Sequence, residues 1–374
     1  MNRIKRMEEN LSTKSTKAHY LPCPSCGSQL RYSAEKKKIT CNHCGYQEEV
    51  DKTNDQVVEQ ALEDAIAKAP KYTADDWGKK VIDCQNCGAH FMVDAQKVKI
   101  SCGFCGSIKV NTEAFEQQYF KPQGIIPFYV SRAEAQKAFE KWIKQGAFHP
   151  SKLKRLAKMD SLHGIYIPFW TYDAQTESTW SGEAGTRVEP RPTTSRSGQL
   201  QQAVTQNIQW RSGSGHLSHF FDDIQVVASG GLQQRHMNKI LPFNTNEVVN
   251  FDPRLMVDWE AEVYSVDVQE GYVRADAIMD QKIRNMCAAQ LGGDEQRNLH
   301  INSTKSGLTF KHILLPIWIC SYEYMDKIYH FTINGQTGRA GGQKPISYVK
   351  IGFMIAAFVG SLVFLWFLRI YLHS

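Results

Sequence analysis

The chain lacks the short motifs by which most common catalytic sites are recognised. Its 374 residues contain no GxxxxGKS/T phosphate loop, no HExxH metal motif, no GxSxG nucleophile elbow and no credible GxGxxG fingerprint. Without the phosphate loop, an NTP-driven helicase is not supported. We therefore expect no enzymatic activity, although an enzyme with an unrecognised site in the α+β region stays as a third alternative.

Long apolar runs are also scarce. The mean hydropathy is −0.41, with 42% hydrophobic and 22% charged residues, which excludes a multi-span transporter and a chain disordered throughout. The first residues, Met1 to Arg6, lead into polar sequence without the apolar core of a signal peptide. We expect residues 1–18 to be flexible and the bulk of the chain to lie in the cytoplasm.

One apolar run stands out against this background. Eighteen consecutive residues from Ile351 to Leu368 carry no charge, and as a helix they would span about 27 Å, close to a hydrocarbon core. Lys350 and Arg369 bracket the run, and Trp366 and Tyr371 lie where interfacial aromatic residues are common. A buried soluble helix is the alternative, but such a helix usually has a polar face. The run predicts a single-pass C-terminal anchor.

Dense basic stripes are missing, because the net charge of +6 is spread along the chain. Lys36, Lys37 and Lys38 form one basic tip, but few aromatic residues accompany it for base stacking. We therefore do not expect nucleic-acid binding. A membrane-tethered nucleic-acid-binding protein that uses these three lysines is kept as the alternative function.

Cysteine is absent from most of the chain and concentrated in one part of it. Eight of the ten cysteines form four Cys-x-x-Cys pairs, arranged as two copies offset by 61 residues, and a glycine follows each pair. Fourteen residues separate the pairs within a copy, which is typical of zinc ribbons with tetrahedral thiolate sites. Cys287 and Cys320 belong to no Cys-x-x-Cys pair, and we expect both to be buried. The predicted ligands are Cys23, Cys26, Cys41 and Cys44 for one zinc ion and Cys84, Cys87, Cys102 and Cys105 for a second.

Other readings of these cysteines are less favoured. Rubredoxin-like iron is the rival ion, and a redox role would not need four matched pairs. Four thiolates leave no open coordination position, so a catalytic zinc is not expected, and His43 is read as exposed. Between the copies, Asn54 to Ala69 has helical periodicity and an acidic outer face. That helix is either a spacer or a docking surface for a partner.

The middle of the chain also looks duplicated. Ile126-Pro127-Phe128 resembles Leu241-Pro242-Phe243, and each motif precedes a helical pattern. Ser131 and Glu134 form a capping box for the first helix, which Gly146 ends, and Gly292 ends the second. Two strands follow, Ile165 to Tyr172 and Ile313 to Tyr322, in which Pro168 and Trp170 match Pro316 and Trp318 at an offset of 148. Each strand is expected to lead to a glycine turn, at Ser181 to Gly185 and at Asn334 to Gly338.

Two insertions break this symmetry. Thr186 to Gly198 reads as a loop, and Asn207 to Ser229 as a hairpin around Ser212 to Gly215. Four residues in the second insertion could gather a metal, but they are more simply surface residues. These are His216, His219, Asp222 and Asp223. Asp160 and His163 are likewise read as loop residues.

The predicted fold class is α+β multidomain, with two four-cysteine zinc ribbons, a duplicated α+β domain with antiparallel strands and one C-terminal transmembrane helix. The predicted parts are a flexible N-terminus (1–18), zinc ribbon 1 (19–48), a linker with an acidic amphipathic helix (49–78), zinc ribbon 2 (79–112), the duplicated domain (124–347) and the transmembrane helix (349–371).

This arrangement resembles a bacterial group of TFIIB-type zinc-ribbon, single-span membrane proteins. The resemblance covers residues 20 to 370 and is carried by the ribbons, the PxW strands, the Asn-Gly-Gln-Thr-Gly turn, Pro345-Ile346-Ser347 and the anchor. Members are often encoded near phage-shock-protein-A-like (PspA-like) and flotillin-like (SPFH) genes, and some carry the labels primosomal protein N-prime or superfamily II helicase. The resemblance implies a zinc-ribbon scaffold or adaptor of the cytoplasmic membrane in an envelope-stress or membrane-domain complex, with PspA-like or SPFH-like partners.

Overall fold

The structure of this chain is a computed structural model. It describes residues 22–51, 57–64, 71–111, 119–145, 149–150, 162–188, 193–194, 200–201, 207–230, 237–325 and 327–373. The N-terminal segment 1–18, the end predicted for the first helix at Gly146, and Asp160 lie outside these ranges.

Strands dominate the described chain, and three α-helices accompany them. The strands are β1 (Leu30–Ser33), β2 (Lys38–Cys41), β3 (Gln47–Glu49), β4 (Gln60–Ala61), β5 (Lys71–Tyr72), β6 (Lys79–Cys84), β7 (His90–Asp94), β8 (Val110–Asn111), β9 (Tyr119–Phe120), β10 (Gly124–Ile125), β11 (Leu162–Val188), β12 (Thr193–Thr194), β13 (Leu200–Gln201), β14 (Asn207–Val227), β15 (Val249–Asn250), β16 (Glu260–Glu262), β17 (Glu295–Tyr324), β18 (Lys327–Asn334) and β19 (Ala340–Gly342). The helices are α1 (Arg132–Lys144), α2 (Val268–Leu291) and α3 (Tyr348–His373).

The centre of the fold is a long antiparallel ladder between β11 and β17. Twelve strands join one sheet around it, while β1, β2 and β3 form a separate antiparallel sheet. The two predicted strands lie inside β11 and β17 and face each other as expected. Ile167 pairs with Leu315, and these residues are themselves 148 positions apart, the offset that relates Pro168 to Pro316. The ladder is therefore symmetric about this pair.

The surroundings of the ladder repeat the symmetry. β10 runs parallel to β17 with Gly124 opposite Ile313, and β16 runs parallel to β11 with Glu260 opposite Ile165. Residues 124–131 and 260–267 therefore occupy equivalent places beside the ladder. The Leu241-Pro242-Phe243 motif lies outside the second of these stretches, because a three-residue likeness does not define a strand register.

The two matched tryptophans make equivalent hydrogen bonds. The Trp318 indole donates to the Val130 carbonyl, and the Trp170 indole donates to the Val266 carbonyl, each at 2.8 Å. Val130 and Val266 each immediately precede the capping residue of a helix, Ser131 for α1 and Asp267 for α2. Each tryptophan therefore fixes the start of one helix against the ladder.

The helix signals are largely confirmed. Ser131 and Glu134 form the capping box, although α1 ends at Lys144. The second helix begins after Asp267, and Gly292 ends it as predicted. Cys287 and Cys320 are both buried. The turn at Asn334 is also confirmed, since its side-chain oxygen accepts hydrogen bonds from the backbone of Gln336 and Thr337.

Two turn predictions are wrong, and so is the predicted start of the loop at 186–198, of which residues 189–192 and 195–199 lie outside the described ranges. The expected glycine turn at 181–185 lies inside β11, the expected hairpin around 212–215 lies inside β14, and β11 continues to Val188 beyond the expected loop start at 186. A Cβ added at Gly215 would lie 2.5 Å from the Trp180 ring, and one at Gly185 would lie 2.9 Å from the Trp210 ring. These glycines leave space for aromatic rings on neighbouring strands instead of forming turns.

The segment before the second cysteine group also differs from its prediction. Where residues 57–64 are described, they contain no α-helix; β4 pairs with β17, and a 3-10 turn follows at Leu62–Asp64. Glu59 accepts hydrogen bonds from the Thr309 hydroxyl and the Lys311 ammonium group, which hold this segment on the sheet. Tertiary contacts therefore override the helical periodicity.

Both cysteine-rich segments share the core of the α+β region. Leu30, Tyr32 and Ile39 belong to the same buried cluster as Phe128. The second segment joins the main sheet directly, since β7 pairs with β16. The two segments are therefore packed into the folded body.

Short polar contacts fasten both segments to residues 254–260. Arg254 bonds Glu48 at 2.8 Å, and Asp258 bonds Arg31 at 2.6 Å. The buried Lys79 ammonium group donates to the Asp94 carboxylate and to the carbonyls of Met256 and Trp259. These three acceptors satisfy all three of its protons, as a buried charge requires.

The apolar C-terminal run forms α3. This helix is long and apolar enough to cross a membrane from Tyr348 to Leu372, with a mean hydropathy of 2.4, and none of that stretch is buried by the rest of the chain. Its apolar side chains are exposed on all sides, as for Phe353 and Phe364. The helix could therefore span a bilayer, as its sequence predicts.

We expect Gly215→Val to destabilise the fold, because the new side chain would overlap the Trp180 ring. Overpacking of this kind costs about 1–3 kcal/mol. Ser214→Val is the matched control, since residue 214 is exposed on the opposite face of the same strand. Denaturant unfolding of the purified full chain would measure both variants, and equal stability of the two would contradict this account of the glycine.

Candidate metal centres

The four cysteine pairs adopt one backbone conformation. In each pair the amide of the following glycine donates to the carbonyl of the first cysteine at 2.8–3.0 Å. The amide of the first cysteine in turn bonds the carbonyl five residues further on. The four glycines have φ between 72° and 80°, which favours glycine over other residues, and are Gly27, Gly45, Gly88 and Gly106. The glycines therefore allow each pair to turn tightly.

These turns bring the predicted ligands together in two groups. Within each group the four sulfur atoms lie within 4.8 Å of one another; the groups are Cys23, Cys26, Cys41 and Cys44, and Cys84, Cys87, Cys102 and Cys105. The Sγ–Sγ distances are 3.5 Å for Cys23–Cys44 and 3.6 Å for Cys84–Cys105. A tetrahedral ion with metal–sulfur bonds of about 2.3 Å places its sulfurs about 3.8 Å apart. Each group could hold one metal ion.

Burial is uneven within each group. The first cysteine of each pair is buried, whereas the second is exposed in three pairs and half-buried at Cys105. Phe104, inside the last pair, is fully buried and packs edge-on against Phe91. Each site therefore lies at the boundary between core and solvent, with two sulfurs facing each side.

Two of the thiols have a lowered pKa. Hydrogen bonding to the backbone and side chain of Ser28 lowers the pKa of Cys26 to about 6. Contact with the Cys102 thiol lowers the pKa of Cys87 to about 5. Contact with the Cys87 thiol raises the pKa of Cys102 in turn, so metal binding would have to displace protons from some thiols of the group.

The histidines considered as candidate site residues lie outside the two cysteine groups. His43 is exposed beside its cysteine pair, in agreement with the prediction. His216 contacts the Glu177 carboxylate at 3.1 Å, and His219 packs against Phe221, so neither belongs to the carboxylate group that contains Asp222 and Asp223. His163 was expected in a loop but lies in β11, where burial lowers its pKa.

A group of carboxylates forms around Asp173. Asp222 and Asp223 lie close to it, and burial raises the pKa of Asp173 to about 6. The Lys311 ammonium group lies 2.7 Å from Asp223 and 3.1 Å from Glu59. Because this lysine already supplies a positive charge, the group is an ion-pair network that links β11, β14 and β17.

The basic tip is partly engaged in contacts within the fold. Lys38 pairs with Glu49 at 2.7 Å, and the Lys37 ammonium group lies 5.7 Å from the centre of the Tyr129 ring. Lys36 lines a neighbouring cleft. The three lysines therefore point to different surroundings and form no continuous basic stripe.

Nothing in the sequence predicts that cleft. It has a volume of about 590 Å³ and lies between the two cysteine-rich segments, with Trp259, Trp318 and His163 among its lining residues. Its charges are largely paired, since Arg31 bonds Asp258 and Lys97 bonds Glu260. No local motif could have indicated it, because its walls come from six separate stretches of chain.

The chain is similar to one protein described as uncharacterized protein YdjG of Bacillus subtilis (strain 168). The two are 27% identical over 343 residues, which cover 90% of this chain and 93% of that protein. No protein-family model matches the chain, and no solved structure matches it. The similarity therefore extends over most of the chain.

We expect the purified chain to hold two metal ions, and Cys87→Ser to reduce this to one. A site that keeps only three of its four sulfur ligands typically binds the ion too weakly to retain it in the presence of a chelator. Cys287→Ala is the control, because that cysteine is buried far along the chain from both groups. Elemental analysis after gel filtration would measure the ratio, and fewer than two ions in the unmodified chain would contradict the two-site prediction.

Proposed function

We propose that both cysteine groups are structural zinc sites of zinc-ribbon type. The sulfur spacing suits a four-thiolate zinc ion, and such a site has no open position for substrate. Each ribbon is too small to bury much apolar surface, so metal binding would supply part of its folding energy. Iron is the rival ion, and the elemental analysis described above would distinguish the two metals.

The apolar helix α3 is proposed to anchor the chain in the cytoplasmic membrane, with the folded body in the cytoplasm. Its length and its complete exposure support a membrane span, since so much apolar surface is costly in water. Thiolate sites persist in reducing compartments, which supports the cytoplasmic side. Arg339, Lys344 and Lys350 precede the helix, in agreement with the positive-inside tendency.

The α+β region is proposed to be a duplicated unit. The symmetric ladder, the equivalent pairings of β10 and β16, and the matched hydrogen bonds of Trp170 and Trp318 support this interpretation. The duplication would produce two equivalent positions beside the ladder. The ion pairs that Arg254 and Asp258 make with the first cysteine-rich segment lie beside β16, whereas the β10 side contacts that segment through the Tyr32 hydroxyl and the Phe128 carbonyl, so the halves would have diverged.

The function proposed for the whole chain is that of a membrane-anchored scaffold or adaptor. The observation that carries it is that both cysteine groups share the core of the α+β region, which leads directly into the apolar helix. Such a molecule presents one rigid surface at a fixed place on the membrane. PspA-like or SPFH-like proteins are the partners suggested by the resemblance, and the complex would serve envelope stress or membrane domains.

The anchor is tested by alkaline carbonate extraction of membranes that contain the full chain. We expect the chain to stay in the membrane pellet, because an inserted helix resists the loss of ionic contacts. A chain that ends before Tyr348 is the control and should be released. Release of the full chain would contradict the anchor.

The scaffold is tested by changing exposed apolar residues of the second ribbon. Val98 and Ile108 are 91% and 82% exposed, although both are apolar. We expect crosslinked capture of a specific partner from native membranes to be lost with Val98→Arg and Ile108→Arg, since each change places a charge at the contact.

Val273→Arg is the matched control, because Val273 is 67% exposed on α2. All variants should keep two metal ions. Equal recovery of the same partners by all variants would contradict a docking role for the second ribbon.

The cleft favours a second candidate, an enzyme or small-ligand-binding function. It brings together His163, Lys36 and Arg132 above an aromatic wall. However, its acidic residues Asp258 and Glu260 are already engaged with basic partners. Nucleic-acid binding has less support, because Lys37 and Lys38 contact the fold itself.

A further inference from the structure

The last turn of α1 lies beside the segment that enters α3. The Lys344 ammonium group donates hydrogen bonds to the Trp142 carbonyl and, at 2.6 Å, to the Gln145 carbonyl. It also lies 4.3 Å from the centre of the Trp142 ring. His149 contacts the Pro345 carbonyl at 3.1 Å. The end of α1 is therefore fixed within a few residues of Tyr348, where α3 begins.

This junction is rich in positive charge. Lys141 and Lys144 are exposed on the last turn of α1, and neither has a carboxylate partner among the described residues. From residue 327 to residue 374 the chain contains no aspartate or glutamate, but it contains Lys327, Arg339, Lys344, Lys350 and Arg369. Glu140 is the nearest carboxylate on α1, and it contacts Gln136 one turn back.

Exposed apolar side chains adjoin these cations. Ile346 is 54% exposed and Val349 is 70% exposed, and both lie between Lys344 and the apolar part of α3. A surface with lysines beside exposed apolar residues suits the headgroup layer of a bilayer, where cations meet phosphates and apolar groups enter the acyl region. A soluble polyanion would satisfy the lysines but leave these apolar residues in water.

We propose that Lys141, Lys144 and Lys350 form a binding surface for anionic phospholipid headgroups in the leaflet next to the folded body. The surface rests on the proposed membrane anchor, which brings the headgroups to it. Lys344 is not part of this surface, because its ammonium group bonds carbonyls at the end of α1 and holds that end beside the segment that leads into α3. Binding of this kind orients the folded body on the membrane instead of leaving it free to rotate about a single helix.

The proposal is tested with the full chain reconstituted into vesicles that contain spin-labelled phosphatidylglycerol or spin-labelled phosphatidylcholine. The fraction of motionally restricted label gives the relative association of each lipid with the chain. We expect preference for phosphatidylglycerol in the unmodified chain, with a decrease of about fivefold for each lysine removed in Lys141→Gln/Lys144→Gln. The preference should also fall at high salt, because screening weakens exposed charge pairs.

The double variant Lys71→Gln/Lys121→Gln is the matched control, because it removes the same charge from exposed residues of the β5–β9 region. It should keep the preference, and both double variants should keep two metal ions and an unchanged unfolding midpoint. No lipid preference in the unmodified chain, or equal loss in both double variants, overturns the proposal. If the chain stays in carbonate-washed vesicles but shows no preference for phosphatidylglycerol, only the proposed lipid-binding surface is overturned. If the chain is released, the membrane anchor is overturned as well.

Discussion

The rest of the structure depends on the antiparallel pairing of β11 with β17. This ladder is symmetric about Ile167 and Leu315, so it offers two equivalent places at which a short parallel strand and a helix can attach. β10 and α1 occupy one place, and β16 and α2 occupy the other. Each helix start is then tied to the ladder by one tryptophan indole, which donates a hydrogen bond to the carbonyl just before the capping residue.

The same ladder determines where the cysteine-rich segments attach. β16 is held by β11 on one side and pairs with β7 on the other, so the sheet continues from the α+β region into the second segment. The residues that lead into β16 supply Arg254 and Asp258, which bind the first segment. Burial lowers the pKa of Lys79, yet three acceptors surround its ammonium group, so it joins the second segment to the same residues. One short stretch thus supports both metal centres.

How well the sequence predicted this structure depended on how local each signal was. The cysteine pairs, the glycines after them, the capping box at Ser131 and the apolar helix were all predicted, because each follows from residues close together in the chain. The turns predicted at the glycines of 182–185 and 213–215 are wrong. Their role depends on Trp180, Trp210 and Leu291, which approach from other strands or from α2.

Long-range pairing accounts for the remaining differences. The acidic segment around Glu59 has a helical pattern, but Thr309 and Lys311 of β17 hold it in an extended conformation. The cleft beside Trp259 is equally non-local and has no sequence signature. The Pro-x-Trp likeness lies in two strands that pair with each other, whereas the Ile-Pro-Phe likeness does not mark equivalent places beside the ladder.

The position of the cysteines suggests how metal binding and folding are coupled. The first sulfur of each pair faces the core, and the second faces solvent or the rim of the fold. A bound ion would therefore link the buried strands to the exposed turns of each ribbon, in a segment with little core of its own. Because β7 and β16 belong to one sheet, loss of the second ion would expose an edge of the α+β region as well as the ribbon. An ion in the first group would support a separate three-stranded sheet, so its loss should remain more local. The two sites are alike in chemistry but unequal in what depends on them.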